Sequence, residues 1–292
     1  MTINTPLIQR RSLLYVPGDK PAMLAKAPSR GADGLILNLE DAVAPANQQL
    51  ARQAVADALR ALDFGRAEAI VRINPPDTDA GYRDLLAVTP LAPRAILLPK
   101  VSSIEEVRFV VWTIERLEEL HNLPAGQIRI MCMIESATGV LNAVEIAACH
   151  RRVAALIFGA TDFSMEVGCT ITEDGRSLLA AASRIILAAR AAKISAIDTP
   201  YMKLDDPEGL ARNNRLAREL GFDGKSAIHP AQVAAINAAF SPTAEQVAWA
   251  RRVLALAPDG DLTRLGAAVL DGQLIEAPHL ARAEHILTMA QL

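Results

Sequence analysis

Glu135 and Asp162 each stand at the end of a short apolar run, Ile128–Ile134 and Ala155–Phe158. The pattern predicts that both runs are buried strands. Two hard oxygen donors from neighbouring strands, with positions left for water and substrate, suit Mg2+, which rarely takes a full protein cage. The same residues also suit a plainer role, since Glu135-Ser136 and Thr161-Asp162 can each cap a following helix. Arg72 lies inside the aliphatic run Val71-Arg72-Ile73-Asn74. An arginine there needs a carboxylate, supplied either by a substrate gripped in bidentate fashion or by an ion pair with Glu40 or Asp41. Glu40-Asp41 read as groups supporting a metal site, or as partners for a neighbouring arginine. Lys100 follows Leu98-Pro99. A Schiff-base lysine needs a desolvated setting, whereas this one stands among acids, which favours charge stabilisation.

The remaining polar residues add less. His121 and His150 sit at predicted helix ends, where the helix dipole suffices to explain them. His229 precedes Pro230 and serves either a site or the next helix as its cap. No HExxH or HxxxH spacing suggests zinc, and no GxSxG suggests a hydrolase nucleophile.

The elements that must carry these groups are short apolar runs at Leu13–Val16, Gly34–Leu39, Ala69–Ile73, Ala95–Leu98, Ile128–Ile134, Ala155–Phe158, Ser195–Ile197 and Ser226–Ile228. Ala/Leu/Arg/Glu-rich segments with helical spacing separate them. Ser102 with Glu105 reads as a capping box, and Pro207-Glu208 after Asp205-Asp206 as another helix start. Buried strands alternating with helices predict an α/β fold, a closed (β/α)8 barrel. An open doubly wound sheet is the alternative, but Pro17-Gly18-Asp19-Lys20 is not its glycine-rich turn. In a barrel, Glu40-Asp41, Arg72, Lys100, Glu135, Asp162, Asp198 and His229 would all open on one face. The barrel is expected over residues 10–240. Ser241-Pro242-Thr243 then marks a break, with Thr243 capping a helix that runs through Leu256. A turn at Asp259-Gly260-Asp261 and a terminal lid complete residues 241–292.

Composition excludes several classes of function. A formal charge of −3 with no basic run argues against nucleic acid, and 51% apolar but 4% aromatic residues suit an aliphatic interior. Three cysteines without a CxxC pair point to a reducing compartment, and Cys132 reads as a buried thiol. No apolar stretch approaches the roughly 20 residues of a membrane span. A cytoplasmic protein is expected, with no membrane partner.

The ordered motifs resemble the citrate lyase beta-subunit-like family, within the metal-dependent 2-keto acid aldolase/lyase superfamily. They are Arg11-Ser12-Leu13-Leu14-Tyr15-Val16-Pro17-Gly18, Leu39-Glu40-Asp41-Ala42-Val43, Val71-Arg72-Ile73-Asn74, Leu98-Pro99-Lys100-Val101, Ile134-Glu135-Ser136, Gly159-Ala160-Thr161-Asp162 and Gly221–Gln232. The last is the most specific, and together they span nearly the whole chain.

The resemblance implies a carbon–carbon lyase that cleaves or forms a β-hydroxyacyl-CoA such as citramalyl-CoA or malyl-CoA, giving acetyl-CoA and a small 2-keto acid. It implies Mg2+ on Glu135 and Asp162, and Arg72 on the keto-acid carboxylate. Gly159, Ala160 and Thr161 would offer backbone donors to the same acid, with Glu40, Asp41 and Lys100 supporting. It further implies a homotrimer or hexamer whose C-terminal lid enters a neighbouring subunit and presents Glu276 as the acid–base group. Two residues depart from the family pattern: Glu276 and Asn38 stand where aspartate is usual. A citrate lyase beta subunit working on a carrier-protein citryl thioester, and a non-catalytic barrel that binds a keto acid or CoA, are the alternatives.

Overall fold

In the computed structural model, residues 8–257 and 268–291 are described. The chain divides into a unit spanning Arg10–Ala239 and a second made of Met1–Gln9 with Phe240–Leu292.

The first unit is a closed parallel barrel in simple sequential order. Its strands are β1 (Ser12–Pro17), β2 (Gly34–Asn38), β3 (Glu68–Arg72), β4 (Ala95–Leu98), β5 (Arg129–Ile134), β6 (Val153–Phe158), β7 (Ser195–Asp198) and β8 (Gly224–Ala227). β8 pairs back onto β1, Ser12 opposite Lys225, which closes the ring. Alternation decides which side chains fill it. Leu13, Ile36, Ile70, Leu97, Met131, Met133, Ile157 and Ile197 form the aliphatic plug, while the intervening residues pack outward under the helices. Both faces of each strand are therefore buried, which is why the strands read as unbroken apolar runs.

The helix Ile104–Leu120 illustrates the outer layer. Val107, Val110, Val111, Ile114 and Leu117 recur on its buried face. Its N-cap is Ser103, whose side chain accepts from the Glu106 N–H, while Glu106 accepts from the N–H (3.0 Å) and hydroxyl (2.8 Å) of Ser102. The expected box of Ser102 with Glu105 is thus shifted by one residue. Adjacent serines carry the same capping chemistry, and only the entry angle of the chain selects between them. Asp206 caps the helix Pro207–Leu220 through the Gly209 N–H, as its sequence suggested.

The expected eighth strand, Ser226–Ile228, instead begins at Gly224. A Cβ at 224 would run into the Arg10 and Arg11 carbonyls, and Lys225 is fully buried against Asp198. Beneath the plug, Arg10 closes the N-terminal end with paired bonds to Glu68 (2.6 and 3.0 Å) and one to Ser195 Oγ (3.0 Å). Cys132 is a buried free thiol on the outer side of β5, raised far above its ordinary range by burial.

In the second unit, helices Ala244–Ala255 and Ala277–Gln291 pack with a hairpin of β9 (Ala268–Leu270) and β10 (Gln273–Ile275). Ala250, Val253, Ile275, Leu280, Ala283 and Ile286 make its core. Asp271 and Gly272 carry the turn with positive φ values of 51° and 77°, the backbone a tight hairpin requires. Thr243 caps the first helix in a full capping box with Gln246. The expected turn at Asp259-Gly260-Asp261 lies outside the described residues. Among the described residues no helix is long and apolar enough to cross a membrane.

Candidate active site at the open end of the barrel

The barrel topology brings the C-terminal ends of β1 to β6 to one mouth. Arg72 is the last residue of β3, Glu135 follows β5 directly, and Gly159 follows β6 directly. Glu40 and Lys100 each lie two residues past their strands, and Asp162 lies in the first turn of the helix Ala160–Val167.

Arg72 is buried, and its guanidinium is shared among acids. Its Nη2 lies 2.7 Å from Glu40 Oε2, 3.4 Å from Asp41 Oδ2 and 4.0 Å from Glu135 Oε1. The structural ion pair considered for Arg72 is thus present, yet Nε is buried without a partner. Lys100 Nζ lies 3.2 Å from Glu40 Oε1 and 3.8 Å from Asp41 Oδ1. The same residue donates its main-chain N–H to Glu135 Oε1 at 2.8 Å. Asn38 accepts the Glu40 N–H at 3.1 Å, so the amide that stands in place of an acid orders the turn above it.

The electrostatics separate these acids. Burial pushes the Glu40 carboxyl up, with Arg72 opposing. Burial also acts to raise Asp41, but its bond with Glu40 and the charges of Arg72 and Lys100 outweigh it and leave that carboxyl low. Glu135 is pushed up to about 8, first by burial, against the pull of Arg72 and with a further push from the adjoining Asp162 carboxyl.

Glu135 caps nothing. Ser136 is the N-cap of the helix Ala137–Leu141, and the helix Ala160–Val167 starts at Gly159 without a side-chain cap. Glu135 Oε2 is instead buried with no hydrogen-bond partner. An unpartnered buried carboxylate oxygen beside a second carboxyl calls for a proton or a cation between them, so the donors present fit a divalent ion. No cluster of three or more His, Cys, Asp or Glu able to hold a metal occurs among the described residues. A two-carboxylate site is the arrangement expected of Mg2+, which retains waters, rather than of a fully caged metal.

Gly159 makes this geometry possible. Its φ of −98° suits any residue, but a Cβ there would press into the Glu135 side chain. Its N–H bonds Ile134 O at 3.0 Å and that of Ala160 approaches Thr199 Oγ1 at 3.4 Å, so Thr161 and Asp162 carry the first-turn donors that remain.

Two residues expected at the mouth are engaged elsewhere. Asp198 faces outward and pairs with Lys225, because β7 runs one residue longer than expected and alternation turns Asp198 away from the plug. His229 is exposed and its Nδ1 accepts the Ala231 N–H at 3.2 Å, the cap role. Glu276 is an exposed residue of the second unit, between β10 and the last helix, and its N–H donates to His279 Nδ1 at 3.1 Å. One residue was missed. Tyr15 packs on the plug two positions beyond Leu13, and the Arg72 guanidinium carbon lies 5.9 Å from its ring centroid. Its place two residues along an inward-facing strand was the available signal.

A profile of the HpcH/HpaI aldolase/citrate lyase family matches residues 11–230. The chain belongs to this family. Membership places it among carbon–carbon lyases of the CoA-ester type. It is 37% identical over 281 residues to the citrate lyase subunit beta of Leuconostoc mesenteroides subsp. cremoris, covering 96% of this chain and 93% of that one. It is equally 37% identical to a (3S)-malyl-CoA thioesterase of Cereibacter sphaeroides, covering 96% and 94%. Protein CitE from Mycobacterium tuberculosis, solved with magnesium, acetoacetate and coenzyme A, superposes with a TM-score of 0.79 at 34% identity, covering 97% of this chain and 99% of that one.

Proposed function

We propose that this chain is a magnesium-dependent lyase that cleaves, or forms, a β-hydroxyacyl-CoA such as citramalyl-CoA or malyl-CoA, giving acetyl-CoA and a small 2-keto acid. One observation carries the reading: Glu135, held by the Lys100 N–H through one oxygen, keeps its other oxygen buried and unpartnered beside Asp162. The ligands named for the CitE structure, magnesium with a keto acid and coenzyme A, support it.

In this reading Glu135 and Asp162 hold the ion. Bound there, magnesium supplies Lewis-acid stabilisation of the negative charge that develops on the keto-acid oxygen. Arg72 binds the acid's carboxylate through its guanidinium and orients the breaking bond. The N–H groups of Thr161 and Asp162 add donors at a helix start, where anions are favoured, and Lys100 balances the charge of Glu40 and Asp41. Cleavage breaks the bond between the carbinol and methylene carbons and leaves its electron pair on the methylene side. The hydroxyl becomes the keto group and gives up its proton to water, so one proton is released and one is taken up. Glu276, reaching in from a neighbouring subunit of a homotrimer or hexamer, delivers a proton to the methylene carbon, which becomes the acetyl methyl. Glutamate in place of the usual aspartate places that carboxyl one methylene farther out.

The test is an assay of malyl-, citramalyl- and citryl-CoA, and of a carrier-protein citryl thioester, with and without Mg2+, following acetyl-CoA and free CoA separately. Magnesium-dependent acetyl-CoA release is expected. Free CoA alone would move the activity to that of the thioesterase relative. Turnover only with a carrier-protein thioester would make the chain a citrate lyase beta subunit, the reading favoured by the Leuconostoc relative. No product from any thioester would leave a binding barrel.

A further inference from the structure

We infer that Tyr15 is a positioning residue for the proposed reaction, its ring face holding the Arg72 guanidinium in one orientation at the mouth. The inference rests on the assignment of Arg72 as the carboxylate clamp and adds what keeps that clamp in place.

Arg72 leaves the end of β3 and must hold one orientation at a mouth that also contains Glu40, Asp41 and Glu135. Its polar contacts converge on a single nitrogen, Nη2, which faces all three acids. Bonds to one nitrogen leave the guanidinium plane free to swing about that anchor. A second contact of another kind opposes the swing: the Tyr15 ring, 5.9 Å from the guanidinium carbon, within the range of a cation–π contact. Tyr15 is itself fixed from below, because alternation along β1 sets it on the aliphatic plug above Leu13. The clamp therefore has an acid on one nitrogen, an aromatic face against its carbon, and Nε unpartnered. Burial and the nearby acids push the phenol far above its ordinary range, with Arg72 opposing, so the ring stays neutral at working pH.

The experiment titrates pyruvate into the full-length protein saturated with Mg2+, with Phe, 4-fluoro-, 3,5-difluoro- and 3,4,5-trifluorophenylalanine placed at position 15, alongside Tyr15→Leu. Fluorination drains the ring face of negative charge and leaves its shape nearly unchanged, so folding is preserved across the series. Tyr15→Phe should restore pyruvate affinity close to that of the native protein, and each added fluorine should weaken it. The trifluoro ring and Tyr15→Leu should lose roughly tenfold while Mg2+ affinity holds, the loss expected of a desolvated ring-face contact. A flat fluorine series would overturn the inference. So would a Tyr15→Phe protein as weak as Tyr15→Leu, since that result assigns the effect to the hydroxyl. Native protein that ignores pyruvate despite bound Mg2+ would sink the functional reading instead, and this inference with it.

Discussion

Lys100 donates its backbone N–H to Glu135 from a left-handed conformation, φ 53°. A non-glycine residue in that region is held there at a cost of about 1–3 kcal/mol. What the strain secures is the orientation of a buried carboxylate: one oxygen is fixed by Lys100, so the other faces Asp162. The side chain and main chain of Lys100 thus serve different acids, Glu40 and Glu135.

That division can be separated by mutation. Lys100→Ala removes the ammonium but keeps the N–H, so Mg2+ affinity measured by calorimetry should change little. The ammonium is half exposed, and its pair with Glu40 should contribute no more than about 1 kcal/mol to stability by urea unfolding. A large loss of metal affinity would show that the ammonium, not the main chain, organises Glu135.

Glu135 makes the metal-free protein sensitive to pH. Its carboxyl is raised to about 8 in the fold against an ordinary value near 4.5, so between those limits the folded state binds more protons than the unfolded one. Stability should therefore be greatest at the acid end of that window and fall as pH rises through it. Unfolding midpoints taken across the window with a chelator present should show the decline. Glu135→Gln should flatten it and abolish Mg2+ binding, as should Glu135→Ala.

Gly159→Ala tests space rather than backbone freedom. The added methyl meets the Glu135 side chain, so Mg2+ affinity should drop by roughly 10- to 100-fold, the range seen when groups that orient metal ligands are disturbed. Unchanged calorimetric affinity would show that Glu135 has room to shift.

Glu276→Ala should remove turnover and leave Mg2+ and pyruvate binding nearly intact, because its proposed role is confined to proton exchange with the acyl methyl. Stopped turnover with lost metal binding would contradict that role.

Away from the site, the buried pair Arg152–Glu118 (2.6 Å) supports the helix layer. Glu118→Ala should cost about 3–5 kcal/mol in urea unfolding, since it leaves Arg152 buried without its partner. Burial alone would raise Glu118, but Arg152 and the Gly126 and Ile128 N–H groups hold its carboxyl low. Its contribution is present above the ordinary carboxylate range and lost as pH falls below it, the reverse of Glu135.

Much of the barrel was legible in the chain. Strands buried on both faces become unbroken apolar runs such as Ala95–Leu98, found with the expected bounds. The polar residue after each run then marks the mouth, so Glu40, Asp41, Arg72, Lys100 and Glu135 could be named together before any contact was known. Position along the chain encodes height in a barrel, and that is a local property.

Angle around the barrel, and which of a strand's two buried faces lies inward, are not local. Lys225 preceded the expected eighth strand and Asp198 was expected at the mouth, yet the strands carry both outside the plug, where they neutralise each other. Tyr15 read as core because an aromatic in an apolar run has no local sign of what lies above it; Arg72 arrives there from β3, more than fifty residues away. The free oxygen of Glu135 likewise depended on which N–H another loop would present. Composition and periodicity thus determined the fold and the candidates for the site, while the pairing of charges was decided only when closure of the sheet set distant strand ends side by side.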